Sequence, residues 1–210
     1  MAFINLLGKI FSNFALFMCR IYFYVVYRPK AHFTDKKVQT NHIKKPCIII
    51  ANHTSLCDPV LMMSIVHGKK HIVIAKDWYE KKNLHWILQG IHCIPCDRYN
   101  MDSEWVNLAK KALNSGSSVI IFPEGKIRTD GQLNDFKSGF AFLARYTGYP
   151  VVSFGLDGNY KFGHRVHYVV DVPENVVRTK GIPSGKDLEQ KSLYFQEKVK
   201  ALKERALSKK

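Results

Sequence analysis

Apolar and polar positions along the chain fall into two alternating kinds of segment. Short apolar runs near 46–51, 71–75, 92–95, 118–122, 150–155 and 166–171 read as strands. Segments near 59–67, 78–89, 101–115, 138–147 and 186–207 read as helices. The run Pro46-Cys47-Ile48-Ile49-Ile50 has no polar alternation, so it predicts a buried strand. Strands alternating with helices predict one α/β domain built on a largely parallel sheet flanked by helices. No internal repeat or low-complexity linker interrupts the series. The stretch 175–185, with Pro183 and two glycines, predicts the loop before a last helix whose end is rich in lysine (Lys198, Lys200, Lys203, Lys209, Lys210). Such a lysine run is ordinarily a solvated face.

The first 27 residues follow a different pattern. From Phe3 to Tyr27 the chain is strongly apolar, but Lys9 and Arg20 interrupt it, and no uncharged run reaches the roughly 18 residues of a spanning helix. Wound at about 100° per residue, Asn5, Lys9, Ser12, Asn13 and Arg20 gather in one narrow stripe, intruded upon between Asn5 and Arg20 only by Leu16. This predicts an amphipathic helix over 1–28 that lies in a membrane interface. A tilted spanning segment with snorkelling Lys9 and Arg20 is the alternative. Arg20 inside the apolar region, with no small-residue cleavage site after it, argues against a signal peptide.

Composition narrows the partners. The chain has 210 residues, 46% of them hydrophobic, which is enough for one domain with a full core. A net charge of +15 favours anionic partners: lipid surfaces, phosphorylated substrates or nucleic acid. The five cysteines are odd in number and sit mostly in apolar runs, which predicts reduced thiols in a cytoplasmic setting. Cys93 and Cys96 have C-x-x-C spacing but no second pair to complete a zinc site, so strand packing explains them better.

The candidate chemistry begins at Ala51-Asn52-His53-Thr54-Ser55-Leu56-Cys57-Asp58-Pro59. His53 falls where a strand ends and Asp58 where a helix starts, with Pro59 suited to the first helical position. A turn of that kind folds the carboxylate onto the imidazole, fixing its tautomer and stabilising the imidazolium formed when His53 takes a proton. The same residues are also compatible with an ordinary helix cap and a structural histidine. A second His-x4-Asp pair, His92 and Asp97, spans an apolar segment with no helix start behind it and is read as a coincidence of spacing. The run 119–131 opens from an Ile-rich strand into a polar loop carrying Glu124, Gly125, Lys126 and Arg128. Gly125 permits close backbone approach to a ligand, and the cations suit phosphate. Arg98, at the end of the apolar segment 91–96, is a second candidate phosphate contact, although taken alone it reads better as a surface arginine at a strand end.

Together these blocks resemble the glycerolipid acyltransferase family, typified by 1-acylglycerol-3-phosphate acyltransferase. The N-H-x4-D block is matched by Asn52, His53 and Asp58, and the I-P-V-x-R block by Ile94, Pro95 and Arg98, with Cys96 in the valine place. The F-P-E-G block is matched by Phe122 to Gly125, followed by Gly131, Phe136, Lys137 and Gly139. A Pro-containing strand block is matched loosely by 149–154, with Ser153 in place of a proline. Where the family has Thr-Arg after Glu-Gly, this chain has Lys126-Ile127, with Arg128 one place later.

The resemblance implies a membrane-associated acyltransferase on the cytoplasmic face, with residues 29–210 as its domain. It implies direct acyl transfer from acyl-CoA or acyl-acyl carrier protein to the free hydroxyl of 1-acylglycerol-3-phosphate, giving phosphatidic acid. His53 and Asp58 are the expected catalytic pair. Arg98, Glu124, Gly125, Lys126 and Arg128 are the expected substrate-binding group, with no metal and no resident cofactor. The partners expected are the lysophospholipid acceptor, the thioester donor, an anionic membrane surface and acyl carrier protein. The Lys-Ile variation also resembles relatives that acylate other lysophospholipids, which leaves a different acceptor as the alternative. A non-catalytic basic membrane-surface protein explains the N-terminus but not the histidine block. A nucleic-acid module explains the charge, but no fingerprint supports it.

Overall fold

The structure, a computed structural model, describes residues 2–35, 45–82, 85–97, 103–128 and 132–209. Arg98 and Gly131 lie outside the described residues. A seven-stranded sheet is built from β1 (Lys30–Phe33), β2 (Ile48–Ala51), β3 (Lys70–Ala75), β4 (Cys93–Cys96), β5 (Ser118–Ile121), β6 (Val151–Leu156) and β7 (His167–Val170), in the order β1-β7-β6-β2-β5-β3-β4. Strands β2 to β6 run one way; β7 is antiparallel to β6, and β1 is parallel to β7. The expected largely parallel α/β sheet is therefore present, with two reversed strands at one edge.

Helices cover both faces: α1 (Ala2–Val26), α2 (Cys57–Ile65), α3 (Lys76–Tyr79), α4 (His85–Gly90), α5 (Glu104–Asn114), α6 (Gly139–Thr147) and α7 (Ser184–Leu207). Successive residues of β2 point to opposite faces, as the pleat requires. Ile49 and Ala51 join Leu61 and Met62 of α2 and Phe23 of α1 in one core. Ile48 and Ile50 join Ala109 and Leu113 of α5, Phe140 and Leu143 of α6, and Phe195 and Val199 of α7 in the other. A strand covered on both sides needs no polar alternation, which is why 48–51 is uniformly apolar. Cys47 and Cys93 are buried with it, and burial pushes both thiols up to about 12.

Three elements depart from the sequence expectation. Segment 78–89 is not one helix: α3 and α4 take its place among the described residues. Tyr79 and Leu88 both pack on the core that α2 lines. Nine residues apart at about 100° each, they would lie on opposite sides of a continuous helix, so a break is required. Strand β1 was not expected; the polar–apolar alternation of its four residues is too short a run to stand out, and they find their partner only across the fold, Lys30 beside His167 and Phe33 beside Val170. The lysines near the C-terminus are not all solvated either. Lys203 is buried, and Lys198 bridges Asp171 at 2.8 Å and Glu174 at 2.6 Å, tying α7 to the end of β7. Helix α7 rides directly on β6 at Gly155, where a Cβ would lie 2.3 Å from the backbone of Leu202 and Lys203.

Candidate active site

Three strands end together at the site. β2 lies between β5 and β6, with Ile50 in register with Ile121 on one side and Ala51 with Phe154 on the other. All three run the same way, so the residues following each strand emerge at one edge, the carboxyl edge where α/β sheets place their ligands. Asn52 locks the arrangement. Its side-chain amide donates to the Leu156 carbonyl at 3.0 Å and its oxygen accepts from the Leu156 N–H at 2.7 Å, fully buried.

His53 follows, its side chain 14% exposed. Its Nδ1 lies 3.2 Å from Oδ2 of Asp58, whose carboxylate is fully buried. α2 begins at Cys57, two residues earlier than Pro59 suggests, which places Asp58 inside the first turn. From there its Oδ2 also accepts the backbone N–H groups of Thr54 at 2.6 Å and Ser55 at 2.7 Å. Two backbone donors and an imidazole supply the partners a buried carboxylate needs. Ser55 spends its hydroxyl on the Cys57 N–H at 3.1 Å, a local capping role. The Phe122 ring stacks on His53 at 4.3 Å between centroids. With Nδ1 held by Asp58, the donor–acceptor chemistry left to the ring is at Nε2.

The loop after β5 braces the same turn. Glu124, nearly fully buried, accepts the His53 N–H on Oε1 at 2.7 Å, and on Oε2 the backbone N–H of Asn134 at 2.8 Å and its side-chain amide at 3.1 Å. Burial pushes its carboxyl pKa up, and the N–H donors from Asn134 and His53 only partly oppose that. Gly125 has φ +67°, with Lys137 folded close against it. The Arg128 N–H donates to the His53 carbonyl at 3.2 Å, while its guanidinium reaches Gln132 at 3.0 Å. Lys126 lies on the same loop, where its carbonyl accepts from Asn134. Thus His53, Asp58, Glu124, Gly125, Lys126 and Arg128 are brought to one edge.

His92 and Asp97 flank the two ends of β4, and an extended strand of that length holds them about 15 Å apart. His92 is also in the left-handed region at φ +61°. The C-x-x-C cysteines belong to the same strand.

Sequence reading missed two residues. Lys137 was matched only as part of a block, yet it packs over Gly125. Tyr160 carried no signal at all; its hydroxyl donates to Oδ1 of Asp58 at 2.5 Å from a loop 102 residues away.

A family model described as Acyltransferase matches residues 30–157, more than half of the chain. A chloroplastic 1-acyl-sn-glycerol-3-phosphate acyltransferase of Brassica napus is 32% identical over 120 residues, covering 55% of this chain and 34% of that protein. One from Cocos nucifera is 34% identical over 119 residues, covering 54% and 38%. A probable 1-acyl-sn-glycerol-3-phosphate acyltransferase of Mycoplasma pneumoniae is 30% identical over 128 residues, covering 58% and 47%. The matches thus span between a third and a half of these relatives. The crystal structure of the 1-acyl-sn-glycerophosphate (LPA) acyltransferase PlsC from Thermotoga maritima superposes with a TM-score of 0.59, covering 96% of this chain and 80% of that one at 19% identity, a likeness of fold.

Proposed function

The chain belongs to the Acyltransferase family, and we propose that it transfers an acyl chain from a thioester donor to the free hydroxyl of 1-acylglycerol-3-phosphate. The observation that carries the reading is the His53–Asp58 pair, held at the carboxyl edge of the sheet beside a cationic loop. In the proposed reaction the acceptor hydroxyl gives its proton to Nε2 of His53 as its oxygen attacks the thioester carbonyl. Asp58 stabilises the imidazolium. The C–S bond breaks, the ester forms, and the proton on His53 passes to the departing thiolate. Lys126, Arg128 and Arg98 bind the acceptor phosphate, and Gly125 lets it approach the backbone. The donor is acyl-CoA or an acyl-acyl carrier protein, and the chain's own residues perform the proton transfer. The relatives' names support lysophosphatidate as acceptor; another lysophospholipid is the second reading, favoured by Lys126-Ile127 in place of Thr-Arg.

We extend the proposal to the membrane. No helix among the described residues is long and apolar enough to cross one. α1 nevertheless exposes Phe14, Phe17, Met18, Ile21, Tyr22 and Val25, spaced three or four apart along much of its length. Contiguous exposed apolar surface of this kind marks an interaction site, and residues 1–28 are read as the segment lying in the interface at the cytoplasmic face. Phe23 and Tyr27 belong to the core, so the test alters the exposed face and keeps the helix. Phe17→Glu with Val25→Glu is expected to release the protein from anionic vesicles, whereas high salt alone is not; release by salt alone would show that charge, not the apolar face, holds it.

The activity test is mass-spectrometric detection of the acylated product from a panel of lysolipids with both donors. His53→Ala is expected to lower turnover by about 10² or more with the fold intact, and His92→Ala to retain most activity. Equal activity in the native protein and His53→Ala would refute the assignment.

A further inference from the structure

The loop between β6 and β7 makes a contact that the reaction outlined above does not use. It leaves β6 at Leu156, which Asn52 grips, and turns at Asp157 and Gly158. Asp157 staples the loop: its Oδ2 accepts the His167 N–H at 2.8 Å and lies 3.3 Å from Nε2 of His164, and its Oδ1 accepts the Asn159 N–H at 3.1 Å. Gly158, at φ +65°, passes so near the catalytic turn that a Cβ there would lie 2.2 Å from Oγ1 of Thr54. Tyr160 then points its hydroxyl at Asp58. Two rings from the end of α1 pack edge-on against it, Phe23 at 6.2 Å and Tyr27 at 5.6 Å between centroids.

The division of labour on Asp58 is uneven. Oδ2 takes His53 and both backbone donors, and Oδ1 takes Tyr160. In a fully buried carboxylate the Tyr160 hydroxyl thus fixes the rotation that keeps Oδ2 on Nδ1 of His53. It also draws negative charge away from the oxygen the imidazole sees. The groups around the hydroxyl are Asp58, Cys57 and Asp157; burial first, then the Asp58 charge, pushes the phenol pKa far up, so the hydroxyl keeps its proton and donates throughout the working pH range.

We propose that Tyr160 is a positioning residue for the reaction, orienting Asp58 and setting how strongly it holds the His53 imidazolium, with Phe23 of α1 and Tyr27 just after it fixing the ring. This rests on reading His53 and Asp58 as the base pair. Tyr160→Phe removes the hydroxyl and keeps the ring in its aromatic contacts. Freeing the rotation of Asp58 misplaces the His53 ring, and a misplaced base predicts a fall in kcat of about ten- to a hundredfold, with KM for donor and acceptor within about twofold, because neither substrate loses a contact. With less charge drawn off, Asp58 favours the imidazolium more, so the acid limb of the pH–rate profile is expected to move to higher pH. The His53 ring titration followed by NMR in the protein without substrate is expected to move the same way.

An unchanged kcat, or a lowered kcat with both the acid limb and the ring titration unmoved, would overturn the proposal and leave Tyr160 a packing residue. If instead the native protein and His53→Ala transfer acyl chains equally, the base assignment fails. The ring titration in Tyr160→Phe then still decides whether Tyr160 acts on His53.

Discussion

Glu124→Gln separates two roles for a residue that the sequence reading placed among the substrate contacts. In the structure both carboxylate oxygens are occupied by protein donors: the His53 N–H on one, the Asn134 backbone and side-chain N–H groups on the other. Glutamine has the same shape but offers one oxygen and one NH2 group. Whichever way the amide is placed, NH2 faces a donor, so at least one bond is lost and one buried N–H is left without an acceptor. The lost bond to a charged group is worth about 1.5–3 kcal/mol and the orphaned donor about 1–3 kcal/mol. Against this, the substitution relieves the cost of burying a charge, a cost visible in the raised pKa of Glu124. A net destabilisation of about 1–3 kcal/mol follows at neutral pH, to be read as a lower urea midpoint with unchanged slope.

Because the folded pKa lies above the unfolded one, the contribution of Glu124 is fully present below about pH 4.3 and is lost as pH rises through the folded value. The gap between native and Glu124→Gln is therefore expected to narrow over that window. Kinetically, slackening the His53 backbone should lower kcat and leave the acceptor KM nearly unchanged. An unaltered urea midpoint together with a raised acceptor KM would refute the bracing role and return Glu124 to the substrate.

Three further outcomes test other parts of the structure. Asp171 has the opposite sign to Glu124: burial opposes its ionisation, but hydrogen bonds from Lys198 and Thr34 win and hold its pKa below the usual carboxylate value. Its contribution is present above the unfolded value of about 3.9 and lost as pH falls through the folded one, so Asp171→Asn should flatten the acid limb of a stability–pH curve; an unchanged limb would contradict the ion pair's role. Gly155→Ala forces a methyl into the backbone of α7 and should cost about 1–3 kcal/mol or more, and a melting temperature equal to the native one would show that α7 shifts freely. Lys126→Ala and Arg128→Ala should each raise the KM for lysophosphatidate by about tenfold or more and the KM for the thioester less; kinetics left untouched, with faster turnover of a lysophosphatidylethanolamine, would move the acceptor to the other class.

Short-range physics wrote the features that could be read from the residues alone. The uniformly apolar 48–51 run implied a strand covered on both faces. The five-residue interval from His53 to Asp58 needed only one turn, closed by the backbone N–H groups of Thr54 and Ser55, four and three residues before Asp58, so the pair was legible locally. The orientation of Glu124 was not legible, because its donors His53 and Asn134 converge only when β2 and β5 lie side by side. The break between α3 and α4 was invisible because periodicity records which residues are apolar and not that Tyr79 and Leu88 must reach the same core. Tyr160 was beyond reach for the same reason in its strongest form. Its bond to Asp58 depends on β6 being the other neighbour of β2, and strand order is set by crossover connections and packing across the whole domain, which no local pattern encodes.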